Sequence, residues 1–167
     1  MPIILVRIDD RLIHGQIVEG WLKTIKVNHI VVVSDQVAQD RMQQVLLNMA
    51  APGNIKVSSL SVEDAAKKIK INAFGDDRVL LLLSSAGDLL RLVKLGIKFD
   101  SVNVGGMHFT KGKKQLLRNL CVDDNDYVDL MEIAANGIAL EGRVLPADEK
   151  IDIVEVLTKA KKEGLVC

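Results

Sequence analysis

The stretch Ile3-Ile4-Leu5-Val6-Arg7-Ile8-Asp9-Asp10-Arg11-Leu12-Ile13-His14-Gly15-Gln16 joins an aliphatic run to a short charged loop. Residues 3–8 have the composition of a buried strand, and a helix is predicted to begin near Gly15. In open α/β folds, ligands bind at the loops that follow the carboxyl ends of parallel strands. Free backbone N–H groups and partial positive charge at a helix start favour a phosphoryl group. The segment therefore predicts an α/β fold with a phosphate-handling loop around His14.

The alternation of aliphatic runs with helix-period stretches continues along the chain. It predicts βα units, and therefore an open, mostly parallel sheet with helices on both faces. The predicted strands are Ile3–Ile8, His29–Ser34, Lys56–Leu60, Arg78–Leu83, Ser101–Val104 and Ile138–Val144. The predicted helices are Gly15–Ile25, Gln36–Met49, Val62–Ile69, Gly87–Leu95, Asn125–Ala135 and Asp148–Glu163.

One segment interrupts this alternation. Residues 105–112 are rich in glycine, and residues 113–122 show no obvious helix pattern. We expect this segment to form either a long loop or a β-hairpin arm at the sheet edge. No linker, repeat or change of composition marks a second domain, so residues 1–167 are predicted to form a single domain.

The composition of the chain argues against several classes of protein. Lys and Arg together number 22, as do Asp and Glu, so the formal net charge is zero and a nucleic-acid binder is not expected. Only 3% of the residues are aromatic, which leaves few platforms for stacking on bases. No apolar run approaches the roughly 20 residues that span a bilayer, and no signal peptide is evident. Two cysteines indicate no disulfide framework, and the chain is predicted to be cytoplasmic.

Motif spacing argues against a nucleotide cofactor. Gly106 and Gly112 are separated by five residues where a P-loop has four, and Lys114 stands where that motif requires Ser or Thr. The first strand is not followed by G-x-G-x-x-G, so the dinucleotide fingerprint is absent as well. ATP and NAD are therefore not expected as ligands.

The spacing also disfavours a metal site and a hydrolase. Asp9, Asp10 and His14 are the nearest set of metal ligands, but no H-E-x-x-H pattern is present and the neighbouring arginines would repel a cation. Ser85 follows a predicted strand, yet no G-x-S-x-G elbow surrounds it. Ser85 is predicted either to cap the next helix or to reach a phosphate across the crevice. No cofactor and no metal are expected.

Phosphoryl transfer through His14 fits the residues of the loop. A neutral imidazole is nucleophilic and titrates near physiological pH. Arg11 supplies a forked guanidinium for the phosphoryl oxygens, and Gly15 and Gln16 supply backbone N–H donors at the helix start. Gly15 also allows close approach of the backbone. Asp10 is predicted to orient the imidazole or to anchor Arg11.

Other roles remain open for these residues on chemistry alone. His14 also fits an ordinary, partly exposed histidine at a turn, and Asp9 is predicted to cap that turn. A receiver-like domain phosphorylated on Asp9 or Asp10 is an alternative, although it leaves the histidine without a role. Outside the loop, His29 is predicted to be a structural residue. His108 is predicted to lie near the site or at an interface, and Trp21 to anchor the core or an interface.

Residues 7–16, Arg7-Ile8-Asp9-Asp10-Arg11-Leu12-Ile13-His14-Gly15-Gln16, resemble the active-site loop of the mannose/sorbose-type enzyme IIB components of the bacterial phosphoenolpyruvate:sugar phosphotransferase system. Asn103-Val104-Gly105-Gly106-Met107 is similar to the glycine-rich segment of that family, and Val144-Leu145-Pro146 to the exit of its late strand. The length and the order of βα units agree over essentially the whole chain. The first motif is long and specific.

The resemblance implies a fold, a reaction and a set of partners. The fold is a single-domain α/β protein with a seven-stranded, mostly parallel sheet. A phosphohistidine on a IIA protein or domain would donate a phosphoryl group to Nδ1 of His14, Arg11 would contact that group, and a sugar held by the membrane IIC/IID permease would receive it. The chain would lie in the cytoplasm at the inner face of the membrane, without a cofactor. A regulatory module of the same fold is the alternative, and neither the sugar nor a homo-oligomeric state is determined by the chain.

Overall fold

The computed structural model describes residues 2–167 and centres on a seven-stranded sheet. The strands are β1 (Ile3–Asp9), β2 (His29–Val33), β3 (Lys56–Leu60), β4 (Val79–Leu83), β5 (Ser101–Gly106), β6 (Lys114–Leu117), β7 (Leu120–Val122), β8 (Ala139–Gly142) and β9 (Ile151–Asp152). The sheet runs in the order β3-β2-β4-β1-β5-β8-β9, and only the pairing of β9 with β8 is antiparallel. β6 and β7 form a separate antiparallel hairpin. The predicted seven-stranded, mostly parallel sheet is confirmed.

Helices cover both faces of this sheet, as predicted. A π-helical segment, Gln16–Trp21, leads directly into α1. The α-helices are α1 (Leu22–Ile25), α2 (Asp35–Gln39), α3 (Arg41–Ala50), α4 (Val62–Lys70), α5 (Ala86–Lys94), α6 (Asp124–Ala135) and α7 (Ile153–Lys162). Along β2, Ile30 and Val32 pack with the π-helical segment, α2 and α3, whereas Val31 and Val33 belong to the core under α4 to α7. Within residues 2–167, every helix is too short or too polar to cross a lipid bilayer.

The helix predicted over Gln36–Met49 is in fact two helices, α2 and α3. Asp40 adopts an extended conformation, with φ −109° and ψ 95°, and its carboxylate accepts the N–H of Gln43 at 3.0 Å. Asp40 therefore caps a new helix and ends the preceding one. The helix predicted over Gly15–Ile25 is present, but its first part is π-helical.

The last helix begins later than the predicted start at Asp148. α7 begins at Ile153, directly after the edge strand β9. Asp152 caps this helix, because its carboxylate accepts the N–H of Glu155 at 3.3 Å. A strand of two residues has no periodicity of its own, so only its pairing with β8 reveals it.

The segment after β5 forms a hairpin, but not at the sheet edge. β5 lies between β1 and β8, so it has no free edge that a hairpin could extend. β6 and β7 instead lie beyond the carboxyl end of β5, where the N–H of Met107 donates to the carbonyl of Asn119 at 2.9 Å. The N–H of Cys121 donates to the carbonyl of Met107 at 2.7 Å, and the side-chain amide of Asn119 to the carbonyl of Gly105 at 3.0 Å. These bonds hold the turn between β6 and β7 beside the carboxyl ends of the parallel strands.

His29 has the structural position that the sequence predicts, at the amino end of β2. Its side chain is 2% exposed, Nδ1 lies 2.9 Å from a carboxylate oxygen of Asp77, and Nε2 lies 2.8 Å from the hydroxyl of Ser58. The ring of Phe74 packs edge-on at 5.6 Å. Burial lowers the pKa of His29 and outweighs the hydrogen bond of Asp77, which acts to raise it.

We expect His29 to make the folded chain less stable as the pH falls below about 6.5. Because its pKa is lower in the folded than in the unfolded chain, the unfolded chain takes up the proton first and the free energy of unfolding falls. Urea unfolding at a series of pH values, for the wild type and for His29→Gln, measures this effect. The variant should lose less stability on acidification, and parallel curves for the two proteins would contradict the assignment.

Candidate functional site

The loop after β1 starts at the centre of the sheet. β1 lies between β4 and β5, and its last residue, Asp9, is completely buried. The chain then turns through Leu12, which has a positive φ of 59° and is 3% exposed. This turn buries Leu12 and Ile13 and leaves Asp10 and Arg11 exposed. Polar side chains therefore face outward at the carboxyl edge of the sheet, where open α/β folds bind ligands.

A buried guanidinium lies beneath this loop. Arg7 is 0% exposed, its Nη2 lies 2.9 Å from Oδ2 of Asp9, and its Nη1 donates to Oδ1 of Asn103 at 2.6 Å. The carbonyls of Arg143 and Val144 accept further bonds at 3.0 and 3.3 Å. Burial lowers the pKa of Arg7, and the carboxylate of Asp9 acts in the opposite direction. Pairing and hydrogen bonding thus offset the cost of burying this charge.

Two neighbours fix the position of Arg7. The indole ring of Trp21 lies 5.1 Å from the guanidinium carbon, and its Nε1–H donates to the carbonyl of Val144 at 2.8 Å. A Cβ at Gly105 would lie 1.9 Å from the same guanidinium carbon, so only glycine fits there. The glycine-rich segment therefore makes room for a buried arginine. Trp21, predicted to be a core or interface anchor, is 2% exposed and lies in the core.

Asp9 orients the imidazole of His14. Its Oδ2 lies 2.8 Å from Nε2, and its Oδ1 accepts the N–H of Arg11 at 3.2 Å. Burial acts to raise the pKa of Asp9, but the hydrogen bond and charge of His14, together with the charge of Arg7, outweigh it and lower the pKa. An ionised carboxylate only accepts hydrogen bonds, so Nε2 carries a proton, and in the neutral form of the ring the lone pair is on Nδ1.

Asp10 has a different partner from the one predicted. Its Oδ2 accepts the backbone N–H of His108 at 2.6 Å, and its Oδ1 contacts Nδ1 of the same residue. The expectation that Asp10 orients His14 or anchors Arg11 is therefore wrong. The expectation that Asp9 only caps the turn is also wrong, because Asp9 binds both Arg7 and His14. Strand alternation explains the difference, because residues two apart on β1 share a face and Asp9 thus joins the buried arginine below it.

Arg11 and Gln16 lie next to each other in the loop around His14, and Nε of Arg11 lies 3.7 Å from Oδ1 of Asp9. The backbone N–H of Gln16 points at Nδ1 of His14 from 3.4 Å, and its side-chain oxygen accepts Nη2 of Arg11 at 2.5 Å. The Arg11 side chain is 42% exposed, and that of His14 is 16% exposed. The arrangement therefore places a backbone donor at Nδ1 of His14 and an accessible cation on the side chain of the residue that supplies this donor.

A cleft of about 440 Å³ opens beside this loop. Its lining combines residues from the loop, the glycine-rich segment, the hairpin turn and the segment after β8: Arg11, Gln16, Gly105, His108, Arg118, Asn119, Val144 and Asp148. The charged side chains include two guanidiniums and one carboxylate, and that carboxylate already accepts the N–H of Leu145 at 2.8 Å. Such a cleft suits a small anion. Sequence reasoning missed Arg118 and Asp148, because no local signal connects them with the loop.

Two further predicted site residues have less specific surroundings. A Cβ at Gly15 would meet no atom of the chain within 4 Å, so packing within the chain does not require glycine there. The hydroxyl of Ser85 accepts the N–H of Asp88 at 3.2 Å, which makes Ser85 the cap of α5. Contact of either residue with a phosphate stays a prediction.

One cluster has the composition of a cation site. Asp9, Asp10 and His108 offer ligand atoms within 4.8 Å of one another. The carboxylate of Asp9 already pairs with Arg7 and His14, and that of Asp10 binds His108. A cation would have to displace these partners and lie close to the buried guanidinium, so the residues do not fit a metal.

The sequence and the fold of this chain are similar to those of several known proteins. The family described as the PTS system sorbose subfamily IIB component matches residues 3–165. The fructose-specific EIIB component of Bacillus subtilis is 37% identical over 162 residues, or 97% of this chain and 99% of that protein. The mannose-specific EIIAB component of Escherichia coli is 41% identical over 165 residues, or 97% of this chain but 50% of that protein. The crystal structure of the IIB domain of the sorbose permease from Klebsiella pneumoniae is similar with a TM-score of 0.89 and 34% identity, covering 95% of this chain and 98% of that one.

Proposed function

The chain belongs to the sorbose subfamily of IIB components of the phosphotransferase system, and from this premise we propose that His14 carries the phosphoryl group. In this proposal, Nδ1 of His14 accepts the group from a phosphohistidine of a IIA protein or domain. His14 then passes it to a sugar bound by a membrane IIC/IID permease. The chain would work in the cytoplasm, against the inner face of the membrane.

The observation that carries this proposal is the bond between Asp9 and Nε2 of His14, 2.8 Å long. It leaves the lone pair on Nδ1, at which the N–H of Gln16 points, and Arg11 binds the side chain of the same Gln16. A nucleophilic nitrogen is therefore held in one tautomer, with positive potential beside it.

The transfer step uses these groups directly. The lone pair of Nδ1 attacks the phosphorus, the nitrogen–phosphorus bond of the donor breaks, and its electron pair returns to the donor imidazole. The Nε2–H of His14 stays bonded to Asp9, whose charge stabilises the cationic character that the ring gains. Arg11 and the N–H of Gln16 stabilise the charge on the equatorial oxygens. In the second transfer a sugar hydroxyl displaces the imidazole, which recovers its lone pair, and the hydroxyl proton is released.

A IIA donor is supported by the mannose-specific relative from Escherichia coli. That protein is named an EIIAB component, and this chain matches 50% of its length. A separate or fused IIA partner is therefore the donor that we propose for this chain.

Labelling from radioactive phosphoenolpyruvate, through the general phosphotransferase proteins and a purified IIA donor, tests the proposal. We expect acid-labile label on His14, with the phosphorylated nitrogen identified as Nδ1 by NMR. Acid-stable, hydroxylamine-sensitive label on Asp9 or Asp10 would contradict it and favour a receiver-like domain. In a second step, permease membranes and candidate sugars are added. Transfer of the label to a sugar supports a transport role, whereas retention with every sugar favours a regulatory module.

A further inference from the structure

We propose that Arg118 is a second phosphoryl-binding residue of this site. Arg118 lines the cleft from the hairpin turn, and Arg11 lines the same cleft from the loop after β1. The inference rests on the proposed function, because the ligand that we assign to Arg118 is the phosphoryl group carried by His14.

The hairpin holds Arg118 in a defined position. The next residue, Asn119, makes two bonds to the glycine-rich segment, one through its carbonyl to the N–H of Met107 and one through its side-chain amide to the carbonyl of Gly105. On β7, Leu120 and Val122 are 0% exposed and belong to the main core. The turn is therefore tied to the strand that packs beside β1, and Arg118 starts from a fixed backbone.

Arg118 differs from the other arginines around the site in having no counterion. Arg7 pairs with Asp9 at 2.9 Å, and Arg143 pairs with Glu141 at 2.8 Å. In the cleft itself, Nε of Arg11 lies 3.7 Å from Oδ1 of Asp9. Within residues 2–167, no carboxylate oxygen comes within 4.0 Å of the Arg118 guanidinium. An exposed guanidinium that lines a cleft without a carboxylate partner is available for an anion from outside the chain.

The charge balance of the cleft favours an anion with more than one negative charge. Arg11 and Arg118 contribute two positive charges, and Asp148 contributes one negative charge that is partly engaged by the N–H of Leu145. A phosphoryl group presents three oxygens and up to two charges, and guanidinium forks match this geometry. One N–H of the Arg11 guanidinium already donates to Gln16, so a second guanidinium would supply hydrogen-bond donors that the loop lacks.

The first measurement is independent of any donor protein. Inorganic phosphate is titrated into the full chain and followed by the NMR shifts of the amides of Gly105 and Asn119. The titration is repeated for Arg118→Gln, for Arg118→Lys and for Lys111→Gln, which removes one positive charge from an exposed residue outside the cleft lining. We expect Arg118→Gln to weaken phosphate binding by about tenfold, as for the loss of one charge-assisted hydrogen bond, with Lys111→Gln close to the wild type.

The second measurement is the rate at which each protein takes label from phospho-IIA. Arg118→Gln should be about 10- to 100-fold slower than the wild type, and Arg118→Lys should recover part of the rate because a point charge replaces the fork. Thermal unfolding of each variant checks that the hairpin is intact. A rate and a phosphate affinity in Arg118→Gln equal to those of Lys111→Gln would overturn the proposal.

The two measurements separate this inference from the proposed function. If the wild type takes no label but binds phosphate through Arg118, the anion site stands and phosphorylation of His14 fails. If His14 is labelled while Arg118→Gln behaves as the wild type in both measurements, the role of Arg118 fails and the proposed function stands.

Discussion

Replacing His14 by alanine is expected to abolish phosphorylation of the chain. The variant keeps Arg11 and Asp9 but has no imidazole nitrogen that can form the bond to phosphorus. In the assay with phosphoenolpyruvate, the general phosphotransferase proteins and a IIA donor, we expect label incorporation to fall by about 10⁴-fold or more, as for the loss of an enzyme nucleophile. His14 belongs to neither cluster of core side chains, so its removal should leave the core intact.

The matched control for this prediction is His29→Gln, which also removes an imidazole. His29 lies at the amino end of β2, whereas the loop of His14 lies at the carboxyl ends of the strands. At neutral pH, this control should take label at the rate of the wild type. Label that persists on His14→Ala, at any residue, would refute the assignment of His14.

Replacing Asp9 by asparagine is expected to slow phosphorylation by about 10³- to 10⁴-fold, in line with the effect of the same change in a Ser-His-Asp triad. An asparagine amide can donate a hydrogen bond to Nε2 of His14. The ring would then hold its proton on Nδ1, and the lone pair would be on the wrong nitrogen. The tautomer can be read directly from the ring ¹⁵N shifts of His14, which should exchange their pattern between the wild type and the variant.

The same substitution should also destabilise the fold. Asp9 is the counterion of the completely buried Arg7, and breaking a buried pair costs about 3–5 kcal/mol. The pKa of Asp9 is below its ordinary value. Its stabilisation is therefore complete above the pKa of an unfolded aspartate, near 4, and is lost only as the pH falls through the lower folded pKa. Urea unfolding should show a constant difference from the wild type at neutral pH and a smaller one in acid.

Asp10→Asn is the matched comparison for both measurements, because it makes the same chemical change one residue later. The carboxylate of Asp10 binds His108 and not His14. We expect Asp9→Asn to be slower than Asp10→Asn by about 100-fold or more, and to be the less stable of the two. Equal rates and equal stabilities would show that the imidazole is not oriented by Asp9.

Most of the fold could be predicted because its signals are local. β3 has the predicted bounds, Lys56–Leu60, and the aliphatic runs of β2 and β4 identify central strands covered on both faces. The break at Asp40 depends on one residue leaving the helical conformation, and a helix-period pattern runs through it without interruption. The edge strand β9 consists of two residues, and it exists only because β8 offers a partner.

The candidate site was only partly predictable, for a related reason. His14, Arg11 and Gln16 lie within one loop, so their proximity follows from the sequence. The sequence does not show which of the two adjacent acids, Asp9 or Asp10, orients His14, because this depends on which acid faces the buried Arg7. Asn103 and the carbonyl of Arg143, which hold that arginine, are 96 and 136 residues away from it along the chain.

The sequence by itself determined the alternation of the main strands and helices, the position of the histidine loop at the end of a central strand, and the family. Apolar periodicity, helix caps and a long motif are properties of residues that are close together along the chain. They can be recognised without knowing which distant residues they contact in the fold. Only the tertiary structure decided that Asp9 holds Nε2 of His14, that glycine at 105 leaves room for Arg7, and that Arg118 reaches the same cleft as Arg11. Those contacts arise where separate strands end side by side, and the energies that select them depend on burial and charge pairing across the sheet.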